Sequence, residues 1–120
     1  MNKKTFTALQ GSIAKWEAIA KGEGFDGGSE DCPLCIALKY EGHYEGHSDC
    51  TKCPVMQRTG KDYCKDSPYV AWGSSLERIH GSWVTGSRRV VMVNGVKNKT
   101  LVRRARDEVK FLKSLLPNDL

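Results

Sequence analysis

No run in this 120-residue chain approaches the roughly eighteen consecutive apolar residues that a bilayer-spanning helix needs. The opening Met1-Asn2-Lys3-Lys4 leads into an amphipathic pattern and not into the apolar core of a secretory leader. A reducing, intracellular setting is the expectation, and disulfides are rare there. A Gly-rich phosphate loop is also missing, which removes nucleotide hydrolysis. Proline is scarce, and the four that exist, at 33, 54, 68 and 117, fall beside expected turns or helix ends, so none interrupts an element.

The hydrophobic fraction of 39% is modest and the charged fraction of 28% ordinary, a balance that excludes disorder throughout. At this length the chain is expected to be one domain, 1–120, whose core alone leaves a thin stability margin. A structural metal would then matter.

Cysteine is present in odd number. Of the five, four form two knuckles, Cys32-Pro33-Leu34-Cys35 and Cys50-Thr51-Lys52-Cys53-Pro54, separated by fourteen residues, with Cys64 beyond them. Four thiolates in paired two-residue spacing are the number and ligand type of a closed tetrahedral zinc site, and each tight turn lets both sulfurs face one ion. The expected ligands are Cys32, Cys35, Cys50 and Cys53, within a cysteine module over 32–64. Cys64 is the alternative ligand or a buried thiol. His43 and His47 could also substitute, although they sit in the loop-like Glu41-Gly42-His43-Tyr44-Glu45-Gly46-His47. A thioredoxin-like redox pair would need a strand before Cys32, and nothing strand-like precedes it.

Positive charge gathers at one end. Residues 88–120 hold nine Lys/Arg against three Asp/Glu, a surplus of six, while residues 1–87 hold ten against eleven, so the net charge of +5 comes from the C-terminal third. Over 100–116 the residues Leu101, Ala105, Val109, Leu112 and Leu116 recur at helical spacing, and Arg103, Arg106, Lys110 and Lys113 form a basic stripe beside them. An N-terminal helix over 1–22 carries Phe6, Leu9, Ile13, Trp16 and Ala20 on one side and ends at Gly22 and Gly24, with Trp16 as a core anchor. The Gly-rich and acidic stretch 22–31 reads as a flexible connector.

Pro68 opens a short helix, and Val90-Val91-Met92-Val93, Asn94-Gly95 and Val96-Lys97 form a β-hairpin signal. Continuous helix over 88–99 is the competing assignment. The expected fold is therefore α+β and mostly helical: two terminal helices packed antiparallel around a small zinc-knuckle module, with a short hairpin near 90–97.

The order of Gly11-Ser12-Ile13-Ala14-Lys15-Trp16-Glu17, the two knuckles, Thr59-Gly60-Lys61-Asp62-Tyr63-Cys64, Ser67-Pro68-Tyr69 and Glu108-Val109-Lys110-Phe111-Leu112-Lys113-Ser114-Leu115-Leu116-Pro117 resembles a family of small cysteine-rich proteins of tailed bacteriophages. The resemblance covers most of the chain and departs near Val90 to Lys99. It implies a cysteine metal site that can involve Cys64 and a location in the cytoplasm of an infected bacterium, and it carries no assigned activity.

Binding is the leading functional class. The first expectation is a zinc-stabilised accessory protein that binds or inhibits a host bacterial protein, in host takeover or counter-defence, through Arg103, Arg106, Lys110 and Lys113. The alternative is a nucleic-acid-binding regulator that uses the same residues, with Tyr40, Tyr44, Tyr63 or Trp83 stacking on bases. No membrane partner is expected. A zinc-dependent nuclease is weaker still: a complete Cys₄ set closes the metal, and His80 with Asn94 or Asn98 does not compose an HNH-type site.

Overall fold

A computed structural model of the chain describes residues 1, 3–24, 26, 32–37, 53–61, 64–81 and 90–117. Among them run α1 (Lys3–Lys21), α2 (Pro33–Ala37), α3 (Pro54–Thr59), α4 (Pro68–His80), β1 (Met92–Val93), β2 (Val96–Lys97) and α5 (Lys99–Ser114). The fold is mostly helical with one small antiparallel ribbon.

α1 buries Ala8, Leu9, Ile13, Trp16 and Ile19, positions three and four apart that share one side of the helix. Phe6 and Ala20, expected on this stripe, lie at its half-buried margins. The helix stops at Gly22, whose φ of 88° is left-handed. Gly22 N–H donates to Ile19 O and Glu23 N–H to Ala18 O, the paired bonds of a Schellman end. A Cβ at Gly22 would lie 3.4 Å from Lys97 Cε and 3.5 Å from Met92 Sδ, ordinary contact distances that show the ribbon beside the end of α1, so it is the left-handed φ and not the space that calls for glycine.

α1 and α5 pack together, and α5 also packs on α4. The sequence leaves each terminal helix only the other to cover it; the structure adds α4 as a third wall. α4 runs thirteen residues through Gly73 to His80, longer than the short helix expected at Pro68. It starts at the N-cap Ser67, whose Oγ accepts from Tyr69 N–H, and it buries Trp72 and Leu76 completely. The core centres on Trp16, which meets Trp72 edge-on at 5.0 Å and Tyr69 edge-on at 5.9 Å.

The hairpin forms at the Asn94-Gly95 signal. Met92 pairs with Lys97 and Val93 with Val96, while both turn residues take positive φ (53° and 77°), the two-residue turn that matches strand twist. Asn98 then closes the ribbon through its N–H to Val91 O (2.7 Å) and caps α5 by accepting Leu101 N–H on Oδ1 (3.1 Å). One residue thus joins sheet to helix. None of the helices is long and apolar enough to cross a membrane, among the described residues.

Candidate cysteine centre and basic face

The first knuckle is built on the start of α2. Cys32 is its N-cap: Ile36 N–H donates to Cys32 O (2.9 Å), and Cys35 N–H donates to Cys32 Sγ (3.3 Å), so a sulfur occupies the place of a capping oxygen. Leu34, between the two cysteines, is buried at 2% exposure and anchors the turn, while both cysteines are half-buried. Pro33 lies 3.3 Å from where a Cβ of Gly11 would stand, so α2 rests closely on α1.

Cys53 is the N-cap position of α3, with Pro54 at the first helical residue and Val55 in the core. Cys64 sits in a turn at φ 60°, fixed by Ser67, whose N–H and Oγ both reach Cys64 O. Cys32, Cys53 and Cys64 all pack against the same core, and the described cysteines form no disulfide. Cys50, His43 and His47 lie outside the described residues. Among the described residues, no three Cys, His, Asp or Glu side chains converge on a metal-sized site.

A charged cluster that the sequence did not announce lies behind this knuckle. Lys15 Nζ meets Asp26 Oδ1 at 2.9 Å, and the other carboxylate oxygen accepts Trp72 Nε1–H at 3.2 Å. Asp26 is 3% exposed, so at this point the stretch expected to be a flexible connector is pinned into the core. Glu108 is 4% exposed on the inner side of α5, and its Oε2 has no hydrogen-bond partner among the described residues.

The protonation states follow from this crowding. A hydrogen bond with the Cys35 thiol, followed by the Cys35 N–H and the Lys15 charge, outweighs burial and brings Cys32 down to about 6, so its sulfur is held largely as thiolate at neutral pH. Burial, followed by the negative charges of Asp26 and Cys32, pushes Glu108 up to about 7. Tyr69 is raised first by burial, then by the negative charge of Asp26 and the hydrogen bond to its carboxylate, with Cys64 and Cys32 adding to the shift.

A second candidate surface is the outer side of α5. Arg103, Arg106, Lys110 and Lys113 are all exposed there, as are Lys99 at the first residue of α5 and Lys97 on β2. Asp107 is exposed among them, and Lys113 reaches Glu17 at 3.7 Å, a solvent-facing pair of small energetic weight. The apolar residues beside the stripe are consumed by the core: Leu101, Ala105 and Leu112 are buried, and Val109, Phe111 and Leu116 are half-buried against it. Phe111, one position before Leu112, belongs to this core margin. Tyr40, Tyr44, Tyr63 and Trp83, the stacking candidates, lie outside the described residues.

Arg58 of α3 connects the two surfaces. Its guanidinium donates to Ser114 O (3.1 Å) and Ser114 Oγ (3.4 Å), meeting the carbonyl end of α5 from the helix that follows Cys53. His80 has a structural task, with Nε2–H donating to Val90 O at 2.9 Å across the α4-to-ribbon connection.

No protein-family model, curated protein or solved structure matches this chain.

Proposed function

We propose that the protein is a zinc-stabilised binding module that presents the outer face of α5 and the adjoining ribbon to a polyanion, with nucleic acid as the favoured partner. The observation that carries this reading is the division of α5. Its apolar side is taken up by α1 and α4, and its exposed side offers Arg103, Arg106, Lys110 and Lys113. A host protein partner, the first expectation from sequence, is favoured by an apolar face beside the basic stripe and by the lack of aromatics within it. With that apolar face inside the core, the remaining surface is one of charge, the kind that neutralises phosphates.

Zinc belongs to the proposal through donor chemistry. Two Cys-x-x-Cys pairs supply four thiolates, and the described cysteines, Cys32, Cys35, Cys53 and Cys64, are each half-buried. Bound there, the metal would staple α2 and α3, and Arg58 would carry that order to α5. An accessory role in an infected bacterium, in takeover or counter-defence, fits the phage resemblance of the sequence.

Salt dependence tests the partner. Binding to a DNA duplex or an RNA single strand, followed by fluorescence anisotropy, is expected to persist near physiological ionic strength and to fall log-linearly with salt. Replacing one of the four basic residues with glutamine should reduce the slope by about one. Complete dissociation near physiological salt, together with stoichiometric retention of one protein from bacterial lysate, would overturn the nucleic-acid reading in favour of a protein target.

A further inference from the structure

We propose, resting on the nucleic-acid reading above, that the β1–β2 ribbon reads an A·T pair of duplex DNA in the major groove through Asn94 and Val96. In this arrangement α5 holds the flanking phosphates. The ribbon is rooted in the core and its tip is open. Val90 and Val91 are buried, and Asn98 N–H donates to Val91 O, so the base of the ribbon is held by the fold. Asn94, Gly95, Val96 and Lys97 are all exposed, and a Cβ built on Gly95 would meet nothing within 4 Å. From Asn98 to Gly95 the strand rises about 10 Å, close to the roughly 8.5 Å depth of the major groove, which is wide enough to admit a two-stranded ribbon.

The side chains at the tip suit one kind of base pair. Turn chemistry accounts for an asparagine at φ 53°, but it does not call for Val96, which at 68% is the most exposed large hydrophobic residue among the described residues. An Asn amide pairs with adenine through N6 and N7, and an apolar side chain packs on the thymine methyl, so Asn94 and Val96 together offer both halves of A·T recognition. Asn98 cannot serve in this way, since its Oδ1 accepts Leu101 N–H. Lys99 opens the basic side of α5, and Arg103, Arg106, Lys110 and Lys113 follow at spacings of four and three. That row is about 21 Å long and begins at the root of the ribbon. Because Asn98 joins sheet to helix, tip and row keep one geometry. Phosphate contacts fix register and orientation without reading sequence, and the tip supplies the reading.

Fluorescence anisotropy with the full chain near physiological salt tests the tip on duplexes of equal length. The set is alternating A·T, the same duplex with deoxyuridine for thymine, the same with a deaza-adenine that lacks N7, and alternating G·C. Binding is expected to weaken about threefold for the deoxyuridine duplex, which lacks only the methyl, and about fivefold or more for the deaza-adenine and G·C duplexes. Val96→Ser should abolish the thymine-to-deoxyuridine ratio. Asn94→Gly, which keeps the positive-φ turn, should abolish the deaza-adenine ratio. Neither variant should change the salt slope, whereas Arg106→Gln on α5 should lower it. Each ratio is measured on one protein, so a partly unfolded variant does not shift it. Equal affinity of the wild-type protein for all the duplexes would overturn the base-reading tip and leave the polyanion reading standing. Preference for single-stranded RNA over every duplex would do the same. Failure to bind any duplex or RNA near physiological salt would remove both.

Discussion

Lys15 and Asp26 meet at 2.9 Å with side chains 13% and 2% exposed, an ion pair formed almost out of water between α1 and the segment that follows it. The second Asp26 oxygen accepts Trp72 Nε1–H, so one carboxylate joins α1 to α4. Removing one partner leaves the other charge buried alone, which costs about 3–5 kcal/mol. Asp26→Ala is therefore expected to lose stability of that order in urea unfolding. Lys15→Met combined with Asp26→Leu should recover much of it, since no lone charge remains. A near-neutral Asp26→Ala would mean that the pair is open to water in solution.

Glu108 is expected to work against the fold as pH rises. Its carboxyl moves from 4.5 in the unfolded chain to about 7 in the folded one, so between those values the folded state holds the extra proton. Stability from this group is present below pH 4.5 and is lost as pH climbs through 7. Glu108→Gln should flatten that dependence and leave the variant more stable than wild type above pH 7, by up to about 3 kcal/mol. Unfolding free energies of both proteins from pH 4 to 8 give the difference curve, in which Cys32 titration cancels to first order. Parallel curves would show Glu108 ionising freely.

Periodicity made α1, α5 and the Asn94-Gly95 turn legible, because each rests on a local rule: apolar spacing, capping or a positive-φ turn. Glu108 was legible too, and was missed. It falls three residues after Ala105 and four before Leu112, on the buried stripe, yet a carboxylate there reads as surface until Asp26, Lys15 and Cys32 are seen around it. Asp26 left no such trace. It sits among glycines and acids, and only the tertiary approach of Lys15 and Trp72 explains its burial. The extent of α4 was obscured by Gly73, a poor helix former that is buried in the structure.

Arg58 should couple the cysteine module to the basic helix. Arg58→Ala removes two donors from Ser114 at the end of α5, an exposed loss expected to cost only about 1 kcal/mol in global stability. Amide exchange in the last turn of α5 should rise well beyond that, because this end loses its cap. Leu112→Ala, by contrast, opens the core where the side chain is 2% exposed, and about 2–5 kcal/mol should be lost over the whole domain. Equal exchange profiles for the two variants would remove the local role assigned to Arg58.

Metal content is the remaining test of the cysteine centre. Protein purified without chelator is expected to carry about one zinc per chain, since four thiolates at knuckle spacing bind the ion tightly. A strong chelator should then lower the melting temperature, as removal of a native-state ligand must. Cys50→Ser should lose the metal and destabilise more than Cys64→Ser if the two knuckles supply the ligands. Cys64 has its own claim. It packs against the same core as Cys32 and Cys53, and retention of zinc by Cys50→Ser with loss by Cys64→Ser would assign the ligands to Cys32, Cys35, Cys53 and Cys64. Elemental analysis that finds no transition metal in the wild-type protein would end both assignments and leave the buried Trp16, Trp72 and Leu9 core to hold the domain alone.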